Sequence, residues 1–364
     1  MKSPRIAVCS FVVALAGCAT LPSTSPGDDA LPNAAAGPFR AIAQEELGAT
    51  RVAPFTINDD TSFTRDPSVV DADGDPGTAV ASGYFSATRV PEGETADPAA
   101  PPNAVVHHQA EDGRSFGRRA TVVLEPEAAW EGDSVGAPSA LRVEGEVWLY
   151  YAAAGGIGLA RSSDGLAFTR EEGPVLVAAP GGWEQGVVPA APGVVRLPEG
   201  SFRMFYEVAL PSGMAIGEAR SADGIQWERL GNAPALAPSP PAEEGEESPY
   251  DDAGVGAPAP ALAISATGRP ILRVYHAATS RAGRATIGLA ARFLDGAGND
   301  APLSRAIAPV FGGSASVLAS APWVTTHAGL SLLFANQRVD EDPAYPAVAV
   351  GVAPADGALP PPAP

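Results

Sequence analysis

The chain is poor in cysteine. Cys9 and Cys18 are the only two in 364 residues, so neither a disulfide framework nor a thiolate metal site can organise the fold. Histidine is also scarce. The four are His107, His108, His276 and His327, and they show no metal-ligand spacing on a helix. Cationic side chains are outnumbered, with 23 Lys and Arg against 42 Asp and Glu and a formal net charge of −19. A surface of that sign repels phosphate backbones, and no basic stripe offsets it, so nucleic acid is not expected as a partner. Neither a Gly-rich phosphate loop nor a Gly-x-Ser-x-Gly nucleophile elbow occurs. No apolar run is long enough to span a bilayer.

One shorter apolar run does matter. Lys2 and Arg5 flank Ile6 to Ala16, which reads as the core of a signal peptide. It ends in Leu15-Ala16-Gly17-Cys18. That ending resembles the lipobox of bacterial lipoproteins, whose Cys is lipidated and becomes the first mature residue. The alternative is an ordinary signal peptide with a chance Cys. The resemblance implies a signal peptide over residues 1–17 and a lipid anchor on Cys18. Ala19 in place of an Asp resembles lipoproteins sent to the outer membrane of the bacterial cell envelope. Residues 18–50 then form the lipidated Cys and a flexible tether, and residues 358–364 a proline-rich, extended tail. The membrane is met through the anchor alone, and the soluble part is expected to be a monomer.

The chain is rich in turn formers, with 40 Gly and 38 Pro, and between the turns lie short β-prone runs. The most informative stretch runs from Val135 to Thr169. It holds Ala137-Pro138, Val147-Trp148-Leu149-Tyr150-Tyr151, Ile157-Gly158-Leu159-Ala160, then Asp164-Gly165 with Phe168. The same order returns from Ala191-Pro192 to Asp223-Gly224, from Ala257-Pro258 to Asp295-Gly296, and from Ala321-Pro322 to Asp356-Gly357. Upstream, Asp66-Pro67 to Asp112-Gly113 makes a fifth copy. A repeat of roughly 50 to 70 residues with four strands each is the sequence form of a propeller. The expected fold is all-β: a five-bladed β-propeller over residues 51–357, with four antiparallel strands per blade.

Each Asp-Gly pair is expected to make a type I′ turn. The proline signatures Gly173-Pro174-Val175-Leu176, Ala233-Pro234-Ala235-Leu236 and Ala308-Pro309-Val310-Phe311 read as outer, fourth strands, where proline is tolerated. The last copy lacks that signature, and Ala53-Pro54-Phe55-Thr56 supplies it near the N-terminus. Residues 51–58 are therefore expected to complete the last blade and close the ring.

In such a ring the starts of the inner strands and the ends of the second strands share one face near the axis. That places Asp66, Asp133 or Gly136, Ala190, Gly256 and Ser320 with Ser86, Ala152, Glu207, His276 and Asn336. Two carboxylates across a pocket are the minimum for glycoside hydrolysis, and Asp66 with Glu207 is the best pair. His276 could orient a carboxylate or titrate near neutral pH. Trp130 and Trp183 precede two inner strands and could stack on sugar. The run Asp71-Ala72-Asp73-Gly74-Asp75 has the carboxylate spacing of a calcium loop but no Glu at the twelfth position, so a tight hairpin competes with calcium there. The acidic stretch Pro241 to Asp252 is either a solvated loop or a weak calcium site.

Residues 51 to 357 resemble the five-bladed propellers of the arabinanase, xylosidase and invertase superfamily, which includes glycoside hydrolase family 43. The resemblance rests on Asp66-Pro67-Ser68-Val69-Val70, on Ala-Pro at the other inner strands, on Trp148-Leu149-Tyr150-Tyr151 and Phe205-Tyr206, and on Ile-Gly-x-Ala before Ser-x-Asp-Gly. It implies a general-base Asp at the start of blade one, matched by Asp66. It also implies a second Asp in blade two, where Asp133 lies three residues before Gly136, and a general-acid Glu in blade three, where Ala190-Ala191-Pro192 stands. Two readings follow. One is a surface-anchored glycan-binding or catalytically degenerate propeller. The other is an active glycoside hydrolase using Asp66 with Glu207 or Asp133.

Overall fold

The computed structural model describes residues 34–41, 63–73, 80–90, 97, 100–113, 116, 120–243, 245–265, 267–294, 301–312, 317–327, 330–339 and 347–354. The N-terminal strand is β1 (Arg40–Ala41). The first sheet holds β2 (Phe63–Asp71), β3 (Ala81–Thr88), β4 (Ala104–Ala110) and β5 (Thr121–Leu124). The second holds β6 (Val135–Val143), β7 (Glu146–Ala153), β8 (Gly156–Ser162) and β9 (Thr169–Arg170). The third holds β10 (Ala190–Arg196), β11 (Phe202–Leu210), β12 (Gly213–Ser221) and β13 (Glu228–Leu230). The fourth holds β14 (Gly254–Ile264), β15 (Pro270–Thr279), β16 (Ala285–Phe293) and β17 (Ser304–Arg305). The fifth holds β18 (Val317–His327), β19 (Leu330–Val339) and β20 (Ala347–Pro354), with β1 as its outer strand.

Every pairing between strands is antiparallel. The innermost strands β2, β6, β10, β14 and β18 each pack on the next, and β18 packs back on β2. The fold is thus an all-β propeller. Among the described residues the helical content is a single 3-10 turn at Ala129–Glu131.

The alternation read from sequence fixes which side chains lie between sheets. Tyr84, Leu149, Tyr150, Phe205, Tyr206, Tyr275 and Phe334 are all essentially inaccessible. Tyrosine hydroxyls at that depth need partners, and for Tyr84 and Tyr150 the Asp-Gly turns of the next sheet provide them. Tyr84 donates to the Gly165 carbonyl at 2.9 Å and Tyr150 to the Gly224 carbonyl at 2.7 Å. The turns themselves differ from expectation. Gly165 and Gly224 are left-handed, but Asp164 and Asp223 are not, so these are not type I′ turns. Each Asp carboxylate instead accepts two following N–H groups, Leu166 and Ala167 in one case and Ile225 and Gln226 in the other.

The proline signatures are also re-placed. The fourth strands β9 and β13 follow the Asp-Gly turns directly, and β17 holds the same outer place in its sheet. The signatures come later and add one bridge each, Leu176 to Ile157, Leu236 to Ile216 and Phe311 to Ile287.

Ring closure uses a different segment from the one expected. Arg40 and Ala41 pair with Val352 and Gly351 of β20, while residues 51–58 lie outside the described residues. Nor do residues 34–41 behave as tether. Ala34 and Ala35 are fully buried between the fourth and fifth sheets. Arg273, also fully buried, donates to the Ala34 carbonyl, Tyr275 donates to the Ala35 carbonyl, and the Ala35 N–H donates to Ser331 Oγ at 2.7 Å. Phe39 then meets Tyr275 edge-on at 5.9 Å. Removing residues 1–41 takes one acceptor from a buried guanidinium and one from a buried phenol, at about 1.5–3 kcal/mol for a hydrogen bond to a charged group. Denaturant melts should therefore show a clear loss of stability for a chain starting at residue 42, and none for a chain starting at residue 34.

Candidate functional site

At one end of the axis each inner strand breaks register at the same place. The shifts lie between Arg65 and Ser68, Gly136 and Ser139, Ala190 and Gly193, Gly256 and Ala259, and Ser320 and Trp323. Each break is a β-bulge carrying the residue before a proline. Those residues are Asp66, Ala137, Ala191, Ala257 and Ala321, with φ of 54, 46, 41, 42 and 46°. A left-handed non-glycine residue costs of order 1–3 kcal/mol, so the five bulges are five equivalent points of strain around one opening. The structural counterparts of Asp66 are thus the alanines, one residue beyond Gly136, Ala190, Gly256 and Ser320.

The bulge turns each strained residue's N–H away from its own ladder. In three sheets a side chain of the preceding sheet accepts it. Asn336 Oδ1 accepts from Asp66 at 2.8 Å, Ser86 Oγ from Ala137 at 2.7 Å, and Glu207 Oε2 from Ala257 at 2.9 Å. Asn336 also donates Nδ2 to Asp66 Oδ1 at 2.9 Å. The Arg65 guanidinium stands 3.9 Å from Asp66 Oδ2 and is shared with Thr88 Oγ1 and the Ala100 carbonyl.

Asp66, Glu207 and Asn336 line a cavity of about 560 Å³, while Arg65 and Ser86 stand behind its wall. Asp66, Glu207, Asn336 and Ser134 supply its polar side chains, and alanines, prolines and Trp323 supply the rest. Asp66 and Glu207 therefore share one pocket. Burial is the main reason the Glu207 carboxyl titrates above its ordinary range, opposed by the Ala257 N–H and reinforced by the Asp66 charge. Glu207 also explains a glycine: a methyl at Gly256 would collide with its carboxylate.

The other candidates lie elsewhere. His276 is one register off the axis; Ala277 pairs with Gly256 and lines the pocket. His276 faces the sheet interior, fully buried, and burial lowers its pKa to about 4. Asp133 is exposed in the loop before β6 and does not line the pocket. Trp130 stacks on Tyr151 at 6.0 Å, and Trp183 packs on the core beside Tyr206, both away from the pocket. At the proposed calcium loop, the Asp73 N–H donates to Asp71 Oδ1 at 3.0 Å, while Asp75 lies outside the described residues. No group of three or more metal-ligating side chains occurs among the described residues. Asp251 and Asp252 of the acidic stretch are buried, bonded to Arg305 and to the Arg281 N–H.

The tryptophans belong to a second repeated unit that the sequence reading missed. Glu131, next to Trp130, accepts the Tyr151 hydroxyl at 2.6 Å and Arg170 Nε at 3.1 Å. Glu184, next to Trp183, accepts the Tyr206 hydroxyl at 2.7 Å and Arg229 Nε at 2.8 Å. Burial would raise the Glu131 carboxyl, but the Tyr151 hydroxyl and the N–H groups of Glu127 and Ala128 hold it below its ordinary range. In the fourth sheet Tyr250-Asp251 and Arg305 repeat the pattern, and His276 occupies the tyrosine's register, opposite Gly288 as Tyr151 is opposite Gly158. An aromatic-acid pair ahead of the inner strands β6, β10 and β14 was the available signal.

With this geometry in view, solved structures share the fold. One reported for the GH130 family of mannoside phosphorylases, containing glycoside hydrolases that target β-1,2-mannosidic linkages in Candida mannan, superposes with a TM-score of 0.60 at 16% identity over 92% of this chain and 99% of that one. A putative glycoside hydrolase from Bacteroides ovatus gives 0.58 at 15% over 88% and 97%. An endo-arabinase from Bacteroides thetaiotaomicron gives 0.53 at 14% over 83% and 97%. No family model and no curated protein sequence matches the chain. At such identities the likeness is one of fold, a propeller.

Glu207→Gln tests the pocket electrostatics. A carboxyl raised in the folded state makes the native protein bind more protons than the unfolded chain above pH 4.5, so its effect is to lower stability as pH rises. The amide oxygen still accepts from Ala257. Denaturant titrations should show Glu207→Gln equal to wild type near pH 4 and at least as stable at pH 7.

Proposed function

We propose that this chain is a lipid-anchored envelope protein whose five sheets are the blades of one ring and whose axial pocket binds a glycan without hydrolysing it. One observation carries the reading. Of the five equivalent bulge positions around the pocket, one holds a carboxylate, Asp66, and four hold alanine. A hydrolase needs two opposed carboxyl groups free to act, one to give a proton and one to activate water or attack. Neighbours in fold are described as a β-1,2-mannobiose phosphorylase from Listeria innocua in complex with β-1,2-mannobiose and as an endo-arabinase, which supports sugar as the ligand class. Leu15-Ala16-Gly17-Cys18 supports an anchor at Cys18, most simply in an outer membrane.

A second reading is favoured by Glu207 alone. A carboxyl whose pKa burial raises, sharing one pocket with a second carboxyl, is the arrangement by which acid and base are told apart. In that case Asp66 acts as general base and Glu207 as proton donor in a glycoside hydrolase.

Reducing-sugar release by the fragment from residue 34 onward separates the two. On mannan, arabinan, xylan and levan we expect no release above that of Asp66→Asn, with binding on a glycan array. Release that Asp66→Asn lowers by about 10²-fold or more would overturn the binding reading in favour of the hydrolase. The anchor is checked by mass: the chain recovered from membranes should start at Cys18 with added lipid, and Cys18→Ala should be recovered in the soluble fraction.

A further inference from the structure

The clasp described above is incomplete in two of five places. Around the ring, the second-strand residue of one sheet faces the strained N–H of the next. Ser86, Glu207 and Asn336 accept from Ala137, Ala257 and Asp66. The same register in the second and fourth sheets holds Ala152, opposite Gly136, and Ala277, opposite Gly256. Their methyl groups accept nothing, and they face Ala191 and Ala321. Both of these carry the left-handed φ of the other three and both line the pocket. A strained bulge that points a backbone donor into an open cavity is a ligand-binding device in the making, because an N–H left without an acceptor costs what a partner would restore.

The charges on the rim limit what the partner is. Asp66 and Glu207 accept hydrogen bonds or protons from a ligand. No Lys, Arg or His is found among the described residues that line the cavity, and the chain carries −19 overall. A phosphate or uronate would meet two carboxyl groups with no cation lining the walls. An uncharged sugar suits both kinds of group, since each hydroxyl donates to a carboxylate and accepts from an N–H.

We propose that the N–H groups of Ala191 and Ala321 are the pocket's ligand donors and that, with Asp66 and Glu207 as acceptors, they select an uncharged sugar over an acidic one. This rests on the glycan-binding reading and says which sugars and which atoms.

The repeat supplies its own test. Ala152→Ser and Ala277→Ser copy the Ser86 clasp into the two open places, capping Ala191 and Ala321 from within. Calorimetry would use β-1,2-mannobiose and an arabino-oligosaccharide as neutral probes and an oligogalacturonate as the acidic one. A neutral probe should bind wild type more tightly than the acidic one does, and each Ser variant should weaken that binding by about 3- to 10-fold, the worth of one neutral hydrogen bond. Glycine at the same positions should leave it within about 2-fold, since it caps nothing. Amide exchange followed by NMR reads the donors without ligand: Ala191 and Ala321 should exchange faster than Ala137 and Ala257, and each Ser variant should slow its own target. Slow exchange at both alanines in wild type, unchanged affinity in both Ser variants, or preference for the oligogalacturonate would each overturn the proposal. Failure of wild type to bind any probe, with fast exchange at both alanines, would instead overturn the glycan reading on which it stands, and the selection of a sugar with it.

Discussion

Everything at the axis depends on one backbone event repeated five times: a non-glycine residue before a proline held at positive φ. Sterics oppose it twice, since Cβ crowds the carbonyl in the left-handed region and the following proline ring restricts the residue before it. Glycine would relieve the first cost, yet Asp or Ala stands at all five places. The surrounding register does the holding. The ladders on either side resume after two unpaired residues, so the bulge has no slack in which to relax. What the strain achieves is direction, because each bulge frees one N–H from its own ladder and turns it toward the preceding sheet. Three of those N–H groups bind one sheet to its neighbour, including Asn336 to Asp66 across the closure between last sheet and first.

The segments that lead into the second and third sheets are fastened by a different chemistry. Buried carboxylates at Glu131 and Glu184 each take a tyrosine hydroxyl and an arginine. A buried charge is tolerable only when paired and bonded in this way. The fourth sheet keeps the acid and the arginine but substitutes His276 for tyrosine. Read as an isolated histidine near an axis, it suggests function. Read in register, it is one member of a structural series, and its low pKa is the expected result of replacing a phenol by an imidazole in a dry place.

The repeat was legible because strand alternation, Asp-Gly turns and Ala-Pro pairs are local patterns with fixed order. The pocket's two carboxylates were legible too, since Asp66 and Glu207 follow from the position of a residue within its copy. What failed did so by single residues. Asp66-Pro67 aligns with Ala137-Pro138, and setting Asp66 against Gly136 moves every comparison by one; the same slip put His276 where Ala277 belongs. A strand reverses faces with each residue, so an error of one exchanges pocket for core. Residues 34–41 were illegible for another reason. Nothing in Ala-Ala-Ala-Gly-Pro-Phe announces that the acceptors of Arg273 and Tyr275 lie more than two hundred residues away.

Glu207 poses the question on which function turns. A clasp requires an acceptor and no charge, and Ser86 and Asn336 meet that need with neutral groups. A carboxyl does so at greater expense, because burial works against its ionised form while the single N–H of Ala257 works for it, and burial prevails. The group is thus over-qualified for structure. What it adds over a serine is a titratable proton on the wall of the pocket that also holds Asp66. In a ring where every other clasp is neutral and every other bulge beyond Asp66 is alanine, two carboxyl groups in one cavity are a departure from the repeat, and packing requires neither. The glycan proposed above supplies a rationale for both, since its hydroxyls would meet acceptors that the alanine walls do not offer.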